Sequence, residues 1–356
     1  MSEPARWGLI GYGKIGGEVA RQLGQEDVAA RMGLSPLPSF IVRRTGIMEP
    51  DGETPSRFSS LAEIDDFPEV TFIALPSTND GIVATEHISH ILERGKVAVT
   101  AEKGSLANNF ALLKELSDGF RRLGINAAYG GGTREMDVAK IYCRDLANVS
   151  QIHLVPNGTT TGILSLVGPR GDASPMSLGQ AVEQALVLKY ADPGSETPEE
   201  VIKQEVEGDI PKKTAIYFNN VGLSPKLLNW HDLRFELSSA DLQRVRREAR
   251  IRRFIVSLYS QRFHDTVCPV EEDIISGFDV QHDGWQIVGG FQHVESNPLF
   301  ADLARLTGPG NGAVYGLGPY ERDGVYHNTG PGAGVGPTVN TKLDDWLRIR
   351  DALQIS

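Results

Sequence analysis

Residues 98–107 read AVTAEKGSLA, an apolar run that ends in Glu102 and Lys103 with a glycine and a serine directly behind them. A lysine placed so, if it faces a cleft, can stabilise charge growing on a carbonyl oxygen and hand it a proton. A second lysine, Lys213 in VEGDIPKKTAIYF (206–218), has Asp209 four residues before it. On a helix that spacing puts carboxylate and ammonium on one face, suited to holding the lysine or a substrate ammonium, and equally to an ordinary surface pair. The adjacent Lys212 is expected to face solvent. A third pattern, Gly11-Tyr12-Gly13-Lys14-Ile15-Gly16, is a G-x-G-x-x-G between an apolar run and a helical repeat of Ile15, Val19, Ala20 and Leu23. In that context Gly11 permits a tight turn, Gly13 lets a pyrophosphate approach the backbone, and Gly16 allows close helix–strand packing. The helix start adds free N–H groups for phosphate.

These groups need a scaffold. SFIVRRTG (39–46) reads as the next strand, and at its end Arg43 and Arg44 stand where an NAD-selective site carries an acid. Guanidinium there pairs with a 2′-phosphate and stacks on adenine, which favours NADP, with NAD possible and a plain surface pair still open. VTFIALPS (70–77), a helix around 81–95 and KVAVTA (96–101) continue the alternation, implying a parallel sheet with right-handed crossovers. Ligands on such sheets lie beyond the carboxyl ends of the strands, where Ser77, Thr100, Glu102 and Lys103 fall. His87 and His90, three apart, read as an exposed helix face without a third metal ligand.

Composition sets bounds. The chain has 356 residues and a net charge of −11, which speaks against a nucleic-acid binder or a protein docking on anionic membranes. Its local exception, LQRVRREARIRRF (242–254), places Leu242, Val245, Ala249 and Phe254 on one side of an expected helix. Two cysteines suit a reducing compartment, and no stretch approaches the about 20 apolar residues a membrane span needs. With no secretory h-region at the start, a cytoplasmic protein is expected. HDGWQIVGGFQHV (282–294) reads as a strand entered through an Asp-Gly turn.

From Lys103 onward the sequence resembles the homoserine dehydrogenases. VTAEKGSLA is similar to that family's T-A-N-K-x-x-L-A segment, with Glu102 for asparagine, and AAYGGGTREMDVAK to its glycine-rich strand-to-helix turn. Asn157-Gly158-Thr159-Thr160 is its N-G-T-T, Asp209 and Lys213 match its G-x-D-x-x-x-K, and TGPGAGVGPTVNTKLDDWL (329–347) resembles its ending. The stretch from about 220 to 290 does not align, and no ACT or kinase region is evident. The resemblance implies an α/β chain. A Rossmann-type doubly wound parallel sheet (1–130 and 328–356) would accompany an α+β substrate and dimerisation domain with a mixed sheet (131–327). It further implies a homodimer, Lys213 as proton donor with Lys103 reaching the same cleft, and substrate contacts from Asp209, Asn157, Thr133 and Tyr190. Gly332 joins the cofactor side.

Departures cluster around substrate and ion. The family's G-Y-x-E-x-D-P is represented by LKYADPGSE, with Tyr190 and Asp192 but no glutamate in register. Arg134 replaces a proline and offers a bidentate partner for a carboxylate. Asn126 replaces a glutamate associated with a monovalent cation, so a cation site stays open. Three readings follow: an NADP-dependent homoserine dehydrogenase, a relative acting on another small amino or hydroxy acid aldehyde, and a non-catalytic NADP(H) sensor.

Overall fold

Trp7–Ile10 (β1), Ile41–Arg43 (β2), Gly46–Met48 (β3), Val70–Ile73 (β4), Val97–Thr100 (β5) and Leu123–Gly124 (β6) form one sheet in the order β3-β2-β1-β4-β5-β6. Every residue of β1, β4 and β5 is buried, which is why WGLI, VTFI and VAVT are apolar runs and not alternations. All neighbouring strands are parallel except β2 and β3, a hairpin turned by Arg44 and Thr45. Strand order reverses between β1 and β4, the topological switch at which such sheets take ligands.

The computed structural model describes residues 3–169, 172–188, 190, 197–263, 273–318 and 324–355. The chain divides into two units, Met1–Ala128 with Val335–Ser356, and Tyr129–Gly334. In the first, the C-terminal helix Val335–Leu353 adds Val339, Leu343, Trp346 and Ile349 to a core built on Trp7, Leu9, Phe72 and Val99. Their helical spacing makes one apolar stripe. Each buried indole keeps a hydrogen bond, Trp7 Nε1 to the Ser35 carbonyl and Trp346 Nε1 to that of Met32, both 2.8 Å. Among the described residues no helix is long and apolar enough to cross a membrane.

The second unit holds Val149–Val155 (β7), Arg252–Ser260 (β8), Ile275–His282 (β9), Trp285–His293 (β10), Gly310–Leu317 (β11) and Gly324–Pro331 (β12), ordered β12-β11-β7-β8-β10-β9. Every pairing in this sheet is antiparallel, where a mixed sheet was expected. One tight hairpin contributes: β9 and β10 are joined by Asp283 and Gly284, with φ of 43° and 85°, the paired positive angles of a type I′ turn.

Three local expectations change. The helix expected over 242–254 runs only over Ser239–Arg247, and Arg252, Arg253 and Phe254 lie in β8. Arg252 is fully buried there, which its bonds to Glu248 (2.7 Å) and Asp273 make tolerable. The glycine-rich turn is preceded by a short helix, Asn126–Gly130, rather than a strand, and Asn126 donates through N and Nδ2 to Asp345 at 2.9 and 2.7 Å. His87 and His90 are half-buried instead of exposed, the His90 ring lying edge-on to Phe67 at 5.9 Å.

A lysine braces the carboxyl ends of the parallel strands. Lys342, fully buried, donates to the Ile73 carbonyl of β4 at 2.7 Å and the Val99 carbonyl of β5 at 3.1 Å. Burial lowers its pKa to about 7, against the opposing pull of Asp345. Above that value the unfolded chain binds more protons than the folded one, so stability rises as pH climbs from 7 toward the ordinary lysine range. The slope reaches up to about 1.4 kcal/mol per pH unit. Lys342→Met should remove this increment, read from urea midpoints at pH 7, 8 and 9; equal slopes in both proteins would assign the effect elsewhere.

Candidate functional site

In the first unit the three loop glycines have different reasons to exist. Gly11 has φ +91°, and a Cβ there would lie 2.4 Å from the Ala74 carbonyl oxygen; one on Gly16 would lie 1.9 Å from that of Gly11. Both are fixed by the fold itself. A Cβ on Gly13 would meet nothing within 4 Å, so no group among the described residues explains this glycine. Gly13 is also the N-cap of the helix Lys14–Leu23 and supplies no side-chain cap, leaving the first N–H groups for an anion. Lys14 is exposed beside them, while Ile15 turns inward onto the core.

Arg43, at the end of β2, lies over the Tyr12 ring with its guanidinium carbon 4.4 Å from the centroid. Its Nε is buried without a hydrogen-bond partner among the described residues. Gly52 leaves space beside it, since a Cβ there would approach Nη2 at 3.6 Å. A guanidinium thus stands beside the glycine loop, a group that can pair with a phosphate. Arg44, in the hairpin turn, is exposed. The loop and the Arg43–Tyr12 pair lie together at the start of the first helix of this sheet.

At the end of β5 the residues around Lys103 organise one turn. Thr100 Oγ1 accepts from the Glu102 N–H at 3.0 Å, and the Glu102 carboxylate accepts from the N–H groups of Gly104 and Ser105, both at 2.6 Å. Glu102 is 2% exposed and takes up the first N–H groups of the short helix Gly104–Asn108. Ser77 Oγ accepts from the Lys103 N–H at 3.3 Å. Gly104 is needed because a Cβ there would come 2.7 Å from the Gly81 nitrogen. Glu102 and Gly104 thus build the turn, and the half-buried Lys103 is what the turn carries.

In the second unit Asn157 is the junction. It is N-cap of the helix Gly158–Val167, its Oδ1 accepting from the Thr160 N–H at 2.7 Å. Its Nδ2 donates to Glu205 Oε2 at 2.6 Å and to Asp209 Oδ2 at 2.9 Å. Asp209 Oδ2 is 2.7 Å from Lys213 Nζ, and Nζ also donates to the Pro156 carbonyl at 3.1 Å. The helix Ile210–Val221 carries Lys213 after a π-helical turn over Gln204–Asp209, so Asp209 and Lys213 meet as their spacing predicts. Lys213 is only 7% exposed. Lys212 does not face solvent freely; its Nζ lies 4.7 Å from the Trp230 ring centroid.

The other expected residues surround this junction to different degrees. Thr159 Oγ1 donates to the Tyr190 carbonyl at 2.5 Å, and a Cβ on Gly162 would press the Tyr190 ring at 2.8 Å, so Tyr190 packs on the same helix. Asp192 lies outside the described residues. Gly332 is accounted for by packing, as a Cβ there would lie 2.0 Å from Asn311 Oδ1. Thr133 is buried, and Arg134 is exposed in the left-handed region, φ +50°, at the start of the helix Glu135–Tyr142. Glu205 escaped the sequence reading; its own four-residue step to Asp209 was the signal. Glu135 escaped too, with nothing to mark it. It is 2% exposed, accepts from Tyr315 Oη and from Asn328 Nδ2 (2.8 Å), and burial raises its pKa to about 7.

Two substitutions test the cofactor half. Gly13→Val should abolish NADPH binding by fluorescence titration while leaving the circular dichroism and melting profile unchanged, since nothing in the fold occupies that space. Arg43→Asp should weaken NADPH binding by roughly 10- to 100-fold, the worth of a charge-assisted bond, and leave NADH less affected. Equal loss for both dinucleotides would remove Arg43 from the 2′-phosphate.

No family model matches the sequence, and no curated protein matches it. Solved structures do. A homoserine dehydrogenase from Thermoplasma acidophilum superposes with TM-score 0.67 at 14% identity, over 96% of this chain and 97% of that one. One from Thiobacillus denitrificans gives 0.66 at 18% identity, over 99% and 74%. A hyperthermophilic archaeal homoserine dehydrogenase in complex with NADPH gives 0.59 at 19% identity, over 99% and 98%. Residue identities this low with coverage this complete establish architecture, and the chain has the fold of the homoserine dehydrogenases.

Proposed function

We propose that the chain is an NADP-dependent dehydrogenase, acting as a homodimer, that interconverts L-homoserine and L-aspartate 4-semialdehyde. The observation that carries this is the Lys213 ammonium, buried, ion-paired to Asp209 at 2.7 Å and anchored on the Pro156 carbonyl at 3.1 Å. Two of its three N–H groups are thereby used, which orients the third toward a substrate oxygen. A bound nicotinamide would supply or accept the hydride. During reduction the aldehyde oxygen gains charge; Lys213 stabilises it and donates the proton, and Asp209 holds the lysine in position. In the reverse direction Lys213 takes the hydroxyl proton. Lys103 is assigned a second part in the proton exchange, and the acid pair Glu205 and Asp209 to the substrate ammonium. Arg134, an exposed guanidinium, is assigned to the substrate carboxylate.

A second reading keeps the chemistry and changes the substrate to another small amino or hydroxy acid aldehyde. Arg134 in place of proline, and Tyr190 and Asp192 in a segment without the expected glutamate, favour it. Steady-state oxidation of homoserine and of 4- and 5-carbon amino and hydroxy acid alcohols separates the two. Homoserine should give the highest kcat/KM with NADP, and inactivity of homoserine with both dinucleotides would reject the first reading. Lys213→Met should lower kcat by about 100- to 10,000-fold, the usual worth of a positioned proton donor. NADPH affinity should stay unchanged; a kcat within threefold of wild type would take the proton away from Lys213.

A further inference from the structure

Behind the Thr133–Arg134 turn lies a run of buried polar groups that the proposed reaction does not use. Tyr217 stands one helical turn beyond Lys213 on the helix Ile210–Val221, and its hydroxyl donates to Tyr315 Oη of β11 at 3.2 Å. Tyr315 donates in turn to Glu135 Oε1. Glu135 Oε2 accepts from Asn328 Nδ2 of β12 at 2.8 Å, and the same amide donates to the Thr133 carbonyl at 2.9 Å. Tyr129, fully buried, lies with its ring 5.2 Å from that of Tyr217, and its hydroxyl has no partner among the described residues.

A carboxylate is an expensive group to bury, and its two donors offset only part of that cost. The same network ends on a residue with a backbone conformation that side chains other than glycine rarely adopt, Arg134 at φ +50° and ψ +34°. Such a conformation persists where its surroundings over-determine it. Here the restraint is visible: the residue before Arg134 is held through its carbonyl and the residue after it through its carboxylate, both by the one amide of Asn328.

We propose that Glu135 is a positioning residue: with Asn328 it clamps the Thr133–Arg134 turn so that Arg134 presents its guanidinium to a carboxylate on the substrate, which makes the clamp a determinant of specificity for carboxylate-bearing alcohols. The substrate role of Arg134 rests on the function proposed above; the clamp rests on geometry alone. An ionised Glu135 accepts from both Tyr315 and Asn328 through charge-assisted bonds, whereas a protonated one donates to the Tyr315 hydroxyl and keeps only a neutral, weaker bond from Asn328. Burial places that change near neutral pH, at about 7. The titratable groups around it are Tyr315 from β11, Tyr217 from the neighbouring helix, Tyr129, and Cys143 at the end of its own helix, with Asp209 acting on Tyr129 from the far side. Burial holds all three tyrosines and the thiol above their ordinary values, so they stay neutral while Glu135 titrates.

Two measurements on the full-length protein decide the matter. Hydrogen–deuterium exchange over residues 130–138, followed from pH 6 to 8 and divided by the intrinsic base-catalysed rate at each pH, should show protection that rises in the wild type as pH passes through 7. Protection should be low and without a step near pH 7 in Glu135→Gln, whose uncharged amide keeps only neutral hydrogen bonds, and low in Asn328→Ala. Protection equal to wild type in both variants overturns the clamp, whatever the reaction proves to be. In kinetics with homoserine, Glu135→Gln should raise KM about tenfold, one charge-assisted hydrogen bond's worth, while kcat changes far less. KM for 3-amino-1-propanol, which lacks the carboxylate, should not move. In an Arg134→Ala background the Glu135→Gln substitution should add nothing, because the two act in series. Additive losses, or an equal rise in KM for both alcohols, overturn the positioning role. If the wild type oxidises no carboxylate-bearing alcohol, the functional reading falls instead, and the exchange measurement still supports or overturns the clamp.

Discussion

One primary amide, that of Asn157, holds two structural obligations at once. Its oxygen closes the first turn of a buried helix, and its nitrogen donates to two carboxylates four residues apart, Glu205 and Asp209. Two neighbouring anions repel, and a shared donor is what lets them stand side by side on a half-buried surface. The ammonium of Lys213 then joins Asp209, and the Pro156 carbonyl, the residue just before Asn157, receives that ammonium. Strand β7, the helix Gly158–Val167 and the helix Ile210–Val221 are thereby tied at one point by charge-assisted bonds, which are directional as apolar packing is not. Gly158 belongs to the same knot, since a Cβ there would stand 2.5 Å from the Pro309 carbonyl oxygen.

The first unit solves a different problem, that of leaving room. Gly11 and Gly16 are glycines because the backbone around them permits nothing larger, and Gly13 is a glycine in open space. Beside that space Arg43 lies over the Tyr12 ring, with one nitrogen unsatisfied among the described residues. An unexplained glycine and an unspent guanidinium nitrogen, side by side, are the marks of a site shaped for something that is not protein. Lys103 stands on a turn stiffened by Glu102, whose carboxylate accepts two backbone N–H groups. Replacing the expected asparagine by glutamate therefore leaves this turn intact, because either side chain can accept at a helix start.

Much of this was legible beforehand because it is local. Strand and helix periodicity, the glycine spacing, the Asp-Gly hairpin and the four-residue step from Asp209 to Lys213 are properties of short segments, and the backbone honours them. What failed were inferences that needed partners. The run over 242–254 looks helical by the spacing of Leu242, Val245, Ala249 and Phe254, yet its last three residues are drawn into β8, where Glu248 and Asp273 meet Arg252. Lys212 looks solvated by its type and instead covers Trp230. Asn126 stands where a cation-associated glutamate was expected and gives its amide to Asp345, a residue more than two hundred positions away.

By itself, the sequence determined the buried strands of the first sheet and the helix after its glycine loop, which glycines the turns require, and which two charges share a helix face. Each follows from interactions within a few residues, whose geometry the chain dictates before it folds. Only the tertiary structure decided that the second sheet is antiparallel, that Glu205 joins Asp209 through Asn157, that Lys342 braces two strand ends, and that Glu135 is buried behind Arg134. Those depend on groups brought together from distant positions and on the loss of water around them. Burial changes the free energy of a charge by more than any local propensity, and a linear sequence does not show where water will be absent.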